Sequence, residues 1–188
     1  MFDSMKKRVF KISLFKLDNR GSENKADFEG YIWKEKDSND NTFEGYLEAT
    51  YPSDIKDTVC HHKREMKGIY LEDKKQLAFM LFHYFSPDWF FPTVFLFKDI
   101  EKPGIYSNGL DVSRLKIAIE EILDERQKSS HCLSLYLHFN NLDRPWNLQH
   151  QIKAYSEEIN SLADYLRLCP SDEELFEKII HYTPTKLF

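Results

Sequence analysis

Apolar and polar positions alternate with a period of two through much of residues 9–106, and four stretches carry a glycine at the same point of that alternation. Two of them share one tetrapeptide, Phe28-Glu29-Gly30-Tyr31 and Phe43-Glu44-Gly45-Tyr46. Weaker echoes follow at Lys67-Gly68-Ile69-Tyr70 and Pro103-Gly104-Ile105-Tyr106. Side chains alternate faces along a strand, so a glycine repeated on one face marks where a sheet bends tightly.

The pattern predicts strands over Val9–Leu17, Phe28–Lys34, Phe43–Tyr51, Met66–Leu71, Leu77–Phe85, Thr93–Phe97 and Ile100–Tyr106. Residues 36–41 (KDSNDN) are turn chemistry, and so are Glu72 to Lys75. Pro52 to Glu65 is polar and predicts a long loop. Phe28, Gly30 and Ile32 share one face, as do Phe43, Gly45 and Leu47. With the turn centred between Asn39 and Asp40, Ile32 is expected opposite Leu47, Gly30 opposite Ala49 and Trp33 opposite Tyr46. A one-residue slip would mix the faces, so an even loop is expected.

After Ser107-Asn108-Gly109 the period changes. Val112, Leu115, Ile119, Ile122 and Leu123 fall at helical spacing behind Asp111, an N-cap residue type, and predict a helix. Cys132–Phe139 alternates and predicts a strand. Leu148, Ile152, Tyr155, Ile159, Leu162 and Leu166 predict a long amphipathic helix stopped by Pro170. Ser171 and Glu174 form a capping box for a short last helix.

The expected fold class is therefore α+β. A strongly curved antiparallel meander or small barrel over 1–108 is followed by a helix-strand-helix-helix segment over 109–188, packed together as one compact domain. The glycine-aromatic meander resembles lipocalin-like barrels, without a lipocalin signature motif.

Composition narrows the partners. Fifteen Phe and ten Tyr raise aromatics to 15%, which favours strands and a large core. A net charge of -5 argues against non-specific nucleic-acid binding, and Lys6-Lys7-Arg8 is too short a basic run to reverse that. Three widely spaced cysteines, Cys60, Cys132 and Cys169, match neither a zinc motif nor a disulfide framework, so a cytoplasmic location is expected. The most apolar region, Leu77 to Phe97, is broken by His83, Pro87, Asp88 and Pro92, short of the about 20 residues a membrane helix needs. No membrane or nucleic-acid partner is expected.

Candidate chemistry is sparse. Cys60-His61-His62 lacks a second ligand pair, so no metal is expected. Cys132 and His138 lie roughly 20 Å apart on an extended strand and form no dyad. No Gly-rich phosphate loop or G-x-S-x-G elbow occurs, and no cofactor is expected. Glu29, Glu44 and His83 are the acid-base candidates of an enzyme whose residues meet only in the fold. The favoured expectation is a noncatalytic module. It would hold a small apolar ligand through Phe28, Ile32, Phe43, Leu47 and Tyr70, or present an aromatic face to a protein partner. Homodimerisation through an edge strand or through the Leu148–Leu166 helix is a further route.

Overall fold

The structure is a computed structural model that describes residues 6–17, 26–37, 39, 41–52, 59–81, 93–107, 112–131, 164 and 174. Its strands are β1 (Lys7–Lys16), β2 (Phe28–Glu35), β3 (Thr42–Pro52), β4 (Val59–Leu71), β5 (Gln76–Leu81), β6 (Thr93–Phe97), β7 (Gly104–Ser107) and β8 (Val112–Glu121). They pair in sequence order, each antiparallel to the next, and β8 returns to β1 to close a barrel. A short helix, α1 (residues 125–131), follows β8. The meander and the barrel expectation hold. Closure gives each strand a neighbour on both sides, although the β3–β4 hairpin runs on past its printed neighbours at residues 50–52 and 59–65.

One parity of each strand faces inward. Phe10, Ile12 and Leu14 of β1 join Ile32, Phe43, Leu47, Met66, Tyr70, Leu77, Phe79, Phe95, Phe97, Leu115 and Ile117 in a single core. An eight-stranded barrel is just wide enough inside for side chains or one small ligand. Leu77–Leu81 and Thr93–Phe97 are buried at every position, so both faces of β5 and β6 are covered. This accounts for their near-continuous apolar sequences.

The repeat glycines stand on the inner face, but the register differs by two residues from the expected one. Gly30 lies opposite Leu47, Ile32 opposite Gly45, and Tyr31 opposite Tyr46. The parity survives; the turn centre moves to between residues 38 and 39, with Asp37 in the left-handed region at φ 61°. Packing explains the shift, because each glycine now faces a branched side chain. A Cβ on Gly30 would lie 1.9 Å from the Tyr46 carbonyl oxygen, and one on Gly45 2.2 Å from that of Tyr31. The two copies of the repeat thus form a pseudo-symmetric hairpin about the Tyr31–Tyr46 pair.

Two further expectations are corrected. The polar loop expected over Pro52–Glu65 is mostly hairpin, since β4 starts at Val59 and pairs back along β3 from Pro52. The helix expected from Val112 is the strand β8. Its inner parity is Leu115, Ile117 and Ile119, with Lys116, Ala118 and Glu120 exposed. A pattern that satisfies both periods is decided by β1, which needs a partner over Phe10–Lys16. The barrel accordingly extends through Glu121.

The strand expected over Leu77–Phe85 is described as far as Leu81, with 82–85 outside the described residues, and the stretch expected over Ile100–Tyr106 is strand only from Gly104. Glu72–Lys74 forms a 3-10 turn closed by Lys75 at φ 54°. β7 starts at Gly104, after a turn in which the Lys102 amide donates to the Asp99 carbonyl. The Cys132–Phe139 strand and most of the two later helices fall outside the described residues; Asp164 and Glu174 are helical. Among the described residues no helix is long and apolar enough to cross a membrane.

Candidate functional site

The five residues expected to hold an apolar ligand converge. Ile32, Phe43, Leu47 and Tyr70 are buried members of the inner core, and Phe28 packs against it partly buried. Their rings belong to a connected aromatic lining. Phe79 stacks on Phe95 at 4.4 Å, Phe95 meets Tyr106 at 5.0 Å, Phe28 meets both Phe95 and Tyr106 at 5.7 Å, and Phe43 meets Phe79 at 6.2 Å. Phe10 and Tyr70 form a further edge-to-face pair at 5.7 Å. Such rings bury large area and add about 0.5–1.5 kcal/mol per well-placed pair.

One end of the barrel is capped by charge. Here lie the turns at 36–37, 72–75 and 98–103, and β1 begins while β8 ends. Arg8 and Lys34 are cross-strand partners on the inner parity, one step beyond Phe10 and Ile32. The Arg8 guanidinium donates through Nε and Nη2 to both oxygens of Glu121, at 2.8 and 2.9 Å. Its Nη1 donates to Glu72 Oε1 at 2.8 Å. Lys34, 7% exposed, donates to the Tyr70 carbonyl at 3.2 Å and lies 3.8 Å from Glu72. Both cations rest on the aromatic layer, Arg8 5.0 Å from the Phe10 ring and Lys34 5.5 Å from that of Tyr70. The hydrogen bonds that Arg8 donates hold the Glu121 carboxyl below its ordinary range, and the same bonds, accepted by Glu121, raise the Arg8 guanidinium. Burial, with Glu72 adding to it, raises the Tyr70 phenol. A cleft of about 420 Å³ opens over this cluster, with Glu35, Asp37, Asp73 and Lys74 along its outer part.

A second cleft, of about 490 Å³, lies outside the barrel between β1, β2 and α1. Tyr31 and His131 stack there with ring centroids 3.8 Å apart. Burial, then the nearby Lys11, lowers the pKa of His131. Val9, Trp33 and Tyr46 form a small outer cluster with Tyr31 and Ile122, and the Ile122 amide donates to the Val9 carbonyl at 2.8 Å. Burial pushes the Tyr46 phenol up to about 12. The aromatic outer face of the repeat is thus largely the seat of the segment that follows β8.

The acid-base candidates are not brought together. Glu29 is exposed opposite Glu48, whereas Glu44 sits opposite Trp33, four residues along and about 13 Å away at strand spacing. Glu44 lies 4.0 Å from Lys67. His83 and Cys132 lie outside the described residues; Cys60, His61 and His62 are described only as backbone of β4. Among the described residues, no cluster of three or more His, Cys, Asp or Glu could hold a metal.

The charged cluster was not expected from the sequence. Its signal was present, since Arg8 and Lys34 stand on the inner parity next to apolar residues and glycine, as Lys16 does at the other end of β1. The molecule these features define is a closed up-and-down β-barrel with an aromatic interior and one ionic cap. No protein family, characterised protein or solved structure matches the chain.

Proposed function

We propose that this protein is a noncatalytic binding module whose barrel takes a small apolar ligand. The observation that supports this reading is the aromatic lining of the core, contributed by β1 to β7 and including Phe28, Phe43 and Tyr70. Such a surface offers dispersion and apolar burial but no proton chemistry. The ionic cap closes one end of the barrel. The dispersed positions of Glu29 and Glu44 favour binding over catalysis.

Native mass spectrometry of the purified protein, followed by titration with an environment-sensitive apolar fluorophore, tests the proposal. Saturable binding to the folded protein is expected, with loss of binding in Leu47→Trp, which fills the interior. Fluorophore binding only after denaturant loosens the barrel would refute it. A stoichiometric partner chain in the mass spectrum would replace the small ligand by a protein, with the exposed Leu123 beside the α1 cleft as the place to look.

A further inference from the structure

The ionic cap contains a binding arrangement that the apolar interior does not use. Glu121 takes one full edge of the Arg8 guanidinium. Glu72 Oε1 takes the remaining Nη1 and lies 3.8 Å from Lys34. A carboxylate oxygen held between a guanidinium and a buried ammonium is the geometry by which proteins grip a ligand's carboxylate. Here the oxygen comes from the first residue of a three-residue turn rather than from a strand. Glu72 is 33% exposed, so its side chain can rotate to solvent without breaking any strand pairing.

The cleft above is layered by charge. Its floor is Arg8 and Lys34, and the Glu72 carboxylate is the group that meets both cations. Its outer part carries exposed Asp37 and Asp73 against Lys74, while Glu35 is paired with Lys7. A simple anion would be repelled at the rim, and a simple cation at the floor. A molecule carrying both charges matches both layers.

The geometry points to this cleft as a site for a small zwitterion of amino-acid type. Its carboxylate takes the place of the Glu72 carboxylate between Arg8 and Lys34, and its ammonium faces Asp37 and Asp73. Glu72 is then an internal stand-in that keeps the two cations paired when the site is empty. The cleft volume of about 420 Å³ accommodates a ligand of that size with room for water.

The test is NMR of the isotope-labelled full chain, following the Arg8 Nε–H signal at constant ionic strength. The probes are glycine, γ-aminobutyrate and aminohexanoate, with acetate and methylammonium as single-charge controls. At least one zwitterion is expected to shift the signal saturably, about tenfold tighter than acetate, and methylammonium is expected to leave it unmoved. Glu72→Gln removes the competitor and tightens the zwitterion several-fold. Asp73→Asn weakens the zwitterion without weakening acetate, and its distance from the core leaves the fold intact as judged by the amide spectrum. No saturable shift with any zwitterion up to tens of millimolar would overturn the assignment. Equal affinity for zwitterion and acetate would do so too, as would binding confined to the Glu72→Gln variant.

Discussion

Replacing Gly30 by alanine sets two effects of opposite sign against each other. On strand propensity alone, alanine for glycine inside a strand stabilises by roughly 0.5–1 kcal/mol, because it removes backbone freedom from the unfolded chain. The barrel opposes this. The added Cβ would sit 1.9 Å from the Tyr46 carbonyl oxygen and 2.9 Å from the Leu47 Cα. Both atoms belong to backbone paired with β2, so no rotamer change relieves the contact. The two strands must separate locally, at the upper end of the about 1–3 kcal/mol typical of overpacking. The net expectation is a loss of about 2 kcal/mol, and a similar one for Gly45→Ala, whose Cβ would lie 2.2 Å from the Tyr31 carbonyl oxygen. In urea, with a slope of about 2 kcal/mol per molar, the midpoint should fall by about 1 M at unchanged slope. A Gly30→Ala protein as stable as the parent, or more so, would refute the register in which the two copies of the repeat interlock.

Ile117→Ala should cost about 2–4 kcal/mol in urea unfolding because Ile117 faces the core, whereas Ala118→Asp should stay within about 0.5 kcal/mol; equal costs would contradict a strand at β8. Glu121 is bound more tightly as a carboxylate in the folded state, so its contribution is complete above the ordinary value of 4.5 and is lost as pH falls through the lowered folded value. Glu121→Gln should flatten that acid limb in pH-dependent melting and cost about 1–2 kcal/mol near neutrality, the partial exposure being allowed for. His131 behaves in the same sense. Its neutral ring is favoured in the fold, so stability is full above 6.5 and declines as pH drops below it. Hydrogen-exchange protection factors of residues 125–131, corrected for the intrinsic pH dependence, should fall over that range, and His131→Phe, which keeps the ring on Tyr31, should abolish the pH step.

Much of the barrel is legible in the sequence because parity is a local property. Thr93–Phe97 is read residue for residue, and the inner positions of the repeat are read from its alternation alone. What parity cannot supply is a choice between patterns that fit two periods. Leu115, Ile119 and Ile122 satisfy a helix, and Leu115, Ile117 and Ile119 satisfy a strand. The deciding contact is with β1, more than a hundred residues earlier. Register escaped for a related reason, since turn composition tolerates several centres and only close packing against Gly30 and Gly45 selects one. The ionic cap is harder still. Arg8 sits in a basic run whose simplest reading is a solvated start, and Glu72 and Glu121 are ordinary surface residue types until closure brings them to one guanidinium.

The pairing of β8 with β1 also sets a schedule for folding. Every other ladder joins neighbours in sequence, but this one closes a loop whose cap contact, Arg8 to Glu121, spans 113 residues. Loop closure of that length is an entropic cost borne before the contact rewards it, and such non-local pairing slows folding. During synthesis, β1 through β7 emerge as a sheet with both lateral borders unsatisfied, and they stay so until Glu121 clears the ribosome. The interval between those two moments is when the nascent chain is most exposed to strand-to-strand misassociation, and slowing translation just before Val112 should lengthen it.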